Sequence, residues 1–436
     1  MSSQATDETR PPEERMHDAF RRRDVAAIRW LFLDYPALRA HIDDPVAAFD
    51  SPAIVAYAND PAIVEVLLEF GADPNRRSKW WAGGFHALHS ATGAAADRLL
   101  AAGAVPDACA AAHLDRLDIL RRLLLEDPSR VHERGGDGQT PLHFAPSRDA
   151  VELLLAAGAD IDARDVDHRA TPAQWMLSKR RGEGRYDLAR HLVDRGASVD
   201  IFLAAALGLT DRALALIRAT PAALDLRTGQ GDYGEQPPSS YHIYFWTIGA
   251  GRSPLDVAEQ FEQGETLQAM LALASPVQRL LFACRRADEV EARSLVREHP
   301  RLVESMSPEQ HRTLADAAWT GDVRAVSLML SLGFDPRIPG HDSGSALHLA
   351  AWDGSVEMVE TLLRDPRARG LVATRDAHHG GTPLGWCCHG SAQGTDHGDH
   401  GAVARLLLDA GAEPGDDGQN ASPAVQAVLR GEDIAR

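Results

Sequence analysis

Thr140-Pro-Leu-His-Phe-Ala145 decides the reading of this chain, because the phrase keeps returning. It recurs as Thr171-Pro-Ala-Gln-Trp-Met176, Ser253-Pro-Leu-Asp-Val-Ala258, Ser345-Ala-Leu-His-Leu-Ala350 and Thr382-Pro-Leu-Gly-Trp-Cys387. A second phrase closes segments: Leu67-Leu-Glu-Phe-Gly-Ala-Asp73, Leu99-Leu-Ala-Ala-Gly-Ala104, Leu154-Leu-Ala-Ala-Gly-Ala-Asp160, Leu192-Val-Asp-Arg-Gly-Ala197, Met329-Leu-Ser-Leu-Gly-Phe-Asp335 and Leu407-Leu-Asp-Ala-Gly-Ala412. The clearest opening spacings are 31 (140 to 171) and 37 (345 to 382). Thr or Ser followed by Pro caps a helix and fixes φ where no amide donor is needed. Leu and then Ala-Ala make a thin face, and the closing Gly supplies a left-handed residue that turns the chain. Elsewhere Pro closes the segment, at Pro36, Pro128, Pro221, Pro300 and Pro366.

Two phrases at this period resemble the ankyrin-repeat family, whose most specific signature is TPLH-x-A. The resemblance implies an all-α ankyrin-repeat solenoid of helix-turn-helix units with projecting fingers and a concave groove. About twelve repeats are expected from Met16 to about Gly431, several of them degenerate. The expected organisation is an N-terminal tail over 1–15, an array over 16–275 with a long inserted finger at 227–252, and a C-terminal array and cap over 276–431. The arrays are separated at a candidate joint near Ala274-Ser-Pro276.

Composition narrows the function. The net charge of −18 argues against a general nucleic-acid binder, which needs a basic face to displace counterions. Of the 45 basic side chains only Lys79 and Lys179 are lysines, which with abundant Ala and Gly suggests a GC-rich bacterial genome. Four cysteines (Cys109, Cys284, Cys387, Cys388) cannot staple 436 residues, which fits a reducing cytosol. Met1 to Asp18 is polar, and the longest apolar run, Ile201 to Leu209, is too short for a bilayer. A cytoplasmic protein without membrane contact is expected. No phosphate-cradling Gly loop and no G-x-S-x-G elbow occurs, so no catalytic residue, metal ligand or cofactor is assigned. Cys387 and Cys388 replace an Ala-Ala pair and read as buried and inert.

In ankyrin proteins the fingers and first helices form the binding groove, so departures from the pattern there mark candidate sites. Ala317-Ala-Trp319, Ala350-Ala-Trp352 and Cys387-Cys-His389 share one register in three successive repeats. The resemblance turns Trp319, Trp352 and His389 towards the groove; burial between neighbouring helices is the alternative. Tyr241-His-Ile-Tyr-Phe-Trp246 ends the long finger, either packed on itself or laid over the groove, so Tyr241, His242, Tyr244 and Trp246 are candidates. His378 and His379 sit in a finger one repeat from the Trp column. Insertions at Ser391–Gly398 and Lys179–Gly184 raise a rim or are tolerated loops. Trp80 and Trp81, after Arg76-Arg77, supply the ingredients of a protein-binding hot spot. The leading expectation is a non-catalytic protein that holds a protein partner in its groove, with an acidic field that favours a basic one. The alternative is a small-molecule pocket, binding or catalytic, with the 241–246 segment over Trp319, Trp352 and His389.

Overall fold

The computed structural model describes residues 10–177, 185–229, 241–393 and 398–432. Lys179–Gly184, the middle of the 227–252 finger, half of the Ser391–Gly398 insertion and the first nine residues of the tail lie outside them. The described chain is mostly helical, and its strand content is the short antiparallel pair Pro45–Ala47 and Ser51–Pro52. No described helix is long and apolar enough to cross a membrane.

Each opening phrase folds as its residues dictate. Thr140 caps the helix Pro141–Phe144, and its amide donates to His143 Nδ1 at 3.1 Å. The Nε2 edge of the same ring reaches the carbonyl of Ala170, in the next finger, at 3.1 Å. With Nδ1 accepting, Nε2 carries the proton and donates, so one buried imidazole ties a cap to its neighbouring repeat. His348 repeats the arrangement, accepting from Ser345 at 3.2 Å and donating to the Thr374 carbonyl at 3.1 Å. Gln174 fills the same position after Thr171, where its Oε1 accepts from the Thr171 amide at 2.9 Å.

The closing glycines adopt the conformation they were read for: Gly158 has φ +92° and Gly411 φ +103°. A Cβ at Gly158 would meet nothing within 4 Å, so the requirement there is backbone conformation and not space. Gly158→Ala should therefore lower stability by about 1–2 kcal/mol, the left-handed penalty of an L side chain. Urea unfolding checks this. The prolines stop helices as expected and also begin a new turn: Pro128 starts the 3-10 segment Pro128–His132, with the Asp127 carboxylate accepting from the Ser129 amide at 3.0 Å.

The chain divides into two compact units. The first holds the described residues up to 199 together with 241–247; the second holds 200–229 and the described residues from 248. The candidate joint at Ala274-Ser-Pro276 falls inside the second unit, where Ser275 caps the helix Pro276–Arg285.

In the first unit the helices Ala108–His113, Pro141–Phe144 and Pro172–Trp175 pack in sequence order. Their partners Leu117–Glu126, Arg148–Ala156 and Tyr186–Asp194 do likewise. Leu120, Leu154 and Leu192 are fully buried in that outer row. The second unit repeats the plan with Thr313–Trp319, Ala346–Trp352 and Pro383–Ala392, backed by Val323–Leu332, Val356–Arg364 and His400–Asp409. Its inner helices approach closely because small residues lie at the seam: Ala317-Ala318, Ala350-Ala351 and Cys387-Cys388 are all buried.

Candidate functional site

The three successive inner helices of the second unit end side by side, and a hollow of ≈490 Å3 opens over their ends. All nine residues that line it fall between 319 and 389. Trp319, Trp352 and His389, the predicted column, are among them, and so is His379 from the finger. Both column tryptophans are half-buried and His389 is exposed. Trp352 lies 5.3 Å from the His389 ring and 6.0 Å from Trp386 at an interplanar angle of 73°. Trp319 lies 5.3 Å from His341, whose neighbour Asp342 also reaches the hollow. His378 is exposed beside His379, ring centroids 6.2 Å apart, and does not line it.

Trp386 was not among the candidates, yet it forms the floor. It is buried against Ala315 and Leu349, with Trp319 and Trp352 packed around it. Its slot is narrow: a Cβ on Gly344 would come 2.8 Å from the ring, and one on Gly381 would come 2.9 Å from it. The indole Nε1 donates to Asp376 Oδ2 at 2.9 Å. Asp376 also accepts from the amides of His378 (2.9 Å), His379 (2.6 Å) and Gly381 (2.8 Å), and from the Ser343 hydroxyl (3.3 Å). Burial works against its charge, but these donors prevail and hold the carboxyl well below the usual carboxylate range. Asp376 is thus a fixed anion that positions Trp386 and the finger backbone. Its oxygens are too heavily engaged to serve as a base.

The same constellation occurs in the first unit. Asp165, His168, Thr171 and Trp175 have the spacing of Asp376, His379, Thr382 and Trp386. Trp175 Nε1 donates to Asp165 Oδ2 at 2.5 Å, and the rings of His168 and Trp175 stand edge to face at 5.1 Å. Here the 241–247 segment covers the histidine: His242 stacks on His168 at 5.4 Å. Tyr244, a predicted contact residue, is completely buried in the short helix Ile243–Thr247 and offers no surface to a ligand. An aromatic run next to an apolar wall packs inward, and Ile243 and Tyr244 take that role. Tyr241 and His242 are half-buried, whereas Trp246 keeps 41% of its surface exposed.

Beside this cluster Asp137, Asp167 and His168, all buried, bring ligand-type atoms within 4.8 Å of one another. Elsewhere in the first unit Trp80 and Trp81 (5.8 Å apart) join Phe49, whose ring meets Trp80 at 4.9 Å and Phe85 at 5.4 Å. Trp81 exposes 64% of its surface.

All four cysteines are buried, and burial raises the thiols of Cys109, Cys284 and Cys387: Cys284 is pushed up to about 12 and Cys387 lies higher still. Cys387 Sγ donates to the carbonyl of His400 at 3.3 Å.

Residues 137–166 and 344–371 match the sequence model of the ankyrin repeat. The chain carries ankyrin repeats. These are a protein-interaction module, and the second matched ankyrin repeat includes Trp352. The chain is also similar to the serine/threonine-protein kinase VIK of Arabidopsis thaliana, at 46% identity over 57 residues. That stretch is 12% of this chain and spans 13% of the kinase.

Proposed function

We infer that this ankyrin-repeat protein is a non-catalytic binding protein, a solenoid of about twelve units that holds a segment of a protein partner in the hollow of its second unit. One observation carries the reading. Trp319 and Trp352 stay half-exposed around a ≈490 Å3 hollow floored by a third indole, although each such ring has about 150–250 Å² to bury. Leaving that area wet forgoes about 25 cal/mol per Å², and a seated side chain recovers it. The buried, raised Cys387 thiol and the saturated Asp376 supply neither nucleophile nor base to the hollow. The chain's net charge of −18 favours a basic partner.

Photo-crosslinking from position 389 tests the reading. A polypeptide captured by the parent chain should be lost, or weakened about thirty-fold, in Trp352→Ala, the usual effect of deleting a central tryptophan anchor. Capture that survives Trp352→Ala and Trp319→Ala unchanged would move the binding surface elsewhere.

A further inference from the structure

The chemistry of the hollow specifies what enters it. Its lining is largely aromatic: Trp352 and Trp386 meet nearly at right angles, and Trp319, His341, His379 and His389 join them. Its nine lining residues include no Lys and no Arg, and its one carboxylate, Asp342, is exposed at the rim. The floor indole donates its N–H to the ionised Asp376, which pushes electron density into the ring and strengthens its negative face. An anion would meet no permanently charged cation there, only the imidazoles of His341, His379 and His389. A primary ammonium would have only Asp342 and the three imidazoles as acceptors for its three N–H donors, because the tryptophan walls are ring faces.

We propose that the hollow is a cage for a quaternary ammonium group, seated on the faces of Trp319, Trp352 and Trp386 with Asp342 as its counter-charge. Such a head has no N–H to satisfy, and it gains most from desolvated aromatic faces. The hollow is larger than the head alone, leaving room for the chain that carries it. That head comes either from a small choline-like solute or from a trimethylated lysine of a partner. The proposal rests on the hollow being the binding site, and it adds the class of group bound.

Tryptophan fluorescence and calorimetry on the full chain test it with two matched pairs. Choline is compared with its uncharged carbon isostere, 3,3-dimethylbutan-1-ol. A short basic peptide with one trimethyl-lysine is compared with the unmodified peptide. The quaternary ammonium of each pair should bind about ten-fold or more tightly than its control, and Trp319→Ala and Trp352→Leu should abolish the difference. The tighter of choline and the methylated peptide identifies the source. Equal binding of choline and the alcohol would overturn the charge argument and leave the hollow as a site. No binding of any probe to the correctly folded chain would overturn the proposal, while crosslinking from position 389 decides the site reading separately.

Discussion

Asp376→Asn is expected to destabilise the second unit by about 3 kcal/mol, the scale of losing charge-assisted hydrogen bonds from a buried acceptor. The replacement keeps the shape and removes the logic. Three backbone amides, one indole N–H and one hydroxyl converge on the two oxygens of Asp376. An asparagine would turn an NH2 group towards donors that need an acceptor. Trp386 would lose its anchor, and the hollow would lose its floor. Urea unfolding should show the loss of stability, and near-ultraviolet dichroism should show the tryptophan signal changing with it.

The equivalent change in the first unit, Asp165→Asn, should be much milder at neutral pH. Burial raises the Asp165 carboxyl to about 6 in spite of the Trp175 indole and backbone donors around it, so its charge is already disfavoured. Equal effects at the two positions would contradict this account.

Acidification from about pH 6.5 to about pH 5 should remove about 3–4 kcal/mol of stability, and the first unit should lose its structure first. Burial drives His143 down to about 3, and it drives His86 and His168 down to about 4. Their unfolded counterparts titrate near 6.5. Below that value the unfolded chain takes up protons that the folded chain refuses, so stability is complete above about 6.5 and falls as the pH drops towards the folded values. Each imidazole forfeits about 1.5 kcal/mol over this interval, at about 1.4 kcal/mol per pH unit once fully engaged. Asp165 has the opposite sign, since its raised folded value means that protonation relieves a buried charge, and it returns about 1 kcal/mol.

The test substitution for this effect is present in the chain itself. His143→Gln copies Gln174, which makes the same cap bond without titrating. It should flatten the pH dependence while costing little at pH 7. A parent chain equally stable at both pH values would refute the assignment.

The architecture was legible because its determinants are local. Thr or Ser, Pro, a fourth-position acceptor and a left-handed Gly each act within a few residues of themselves, and Thr140, His143 and Gly158 behave as those rules require. The Trp319, Trp352 and His389 register was legible for the same reason, since it follows from the Ala-Ala pairs beside it. Trp386 was not. It occupies the position held by Phe144, Val257 and Leu349 in other opening phrases, where a large apolar residue reads as ordinary filling.

Its partner Asp376 lies ten residues earlier in a finger, and only the recurrence of Asp, His, Thr and Trp at identical spacing in 165–175 and 376–386 could have linked them. Tyr244 failed for a different reason. Within an aromatic run the sequence does not say which rings turn inward, and that is settled by neighbours such as His168 and Trp175 far away along the chain.

That recurrence leaves the two histidines under unequal obligations. His168 answers to another side chain of its own unit, so changing it disturbs a stack already made with His242. His379 stands at the edge of an open hollow. If the hollow takes a guest as proposed, the exposed position 379 can be re-chosen to suit it, at the cost of its own edge contact with Trp386 at 6.3 Å.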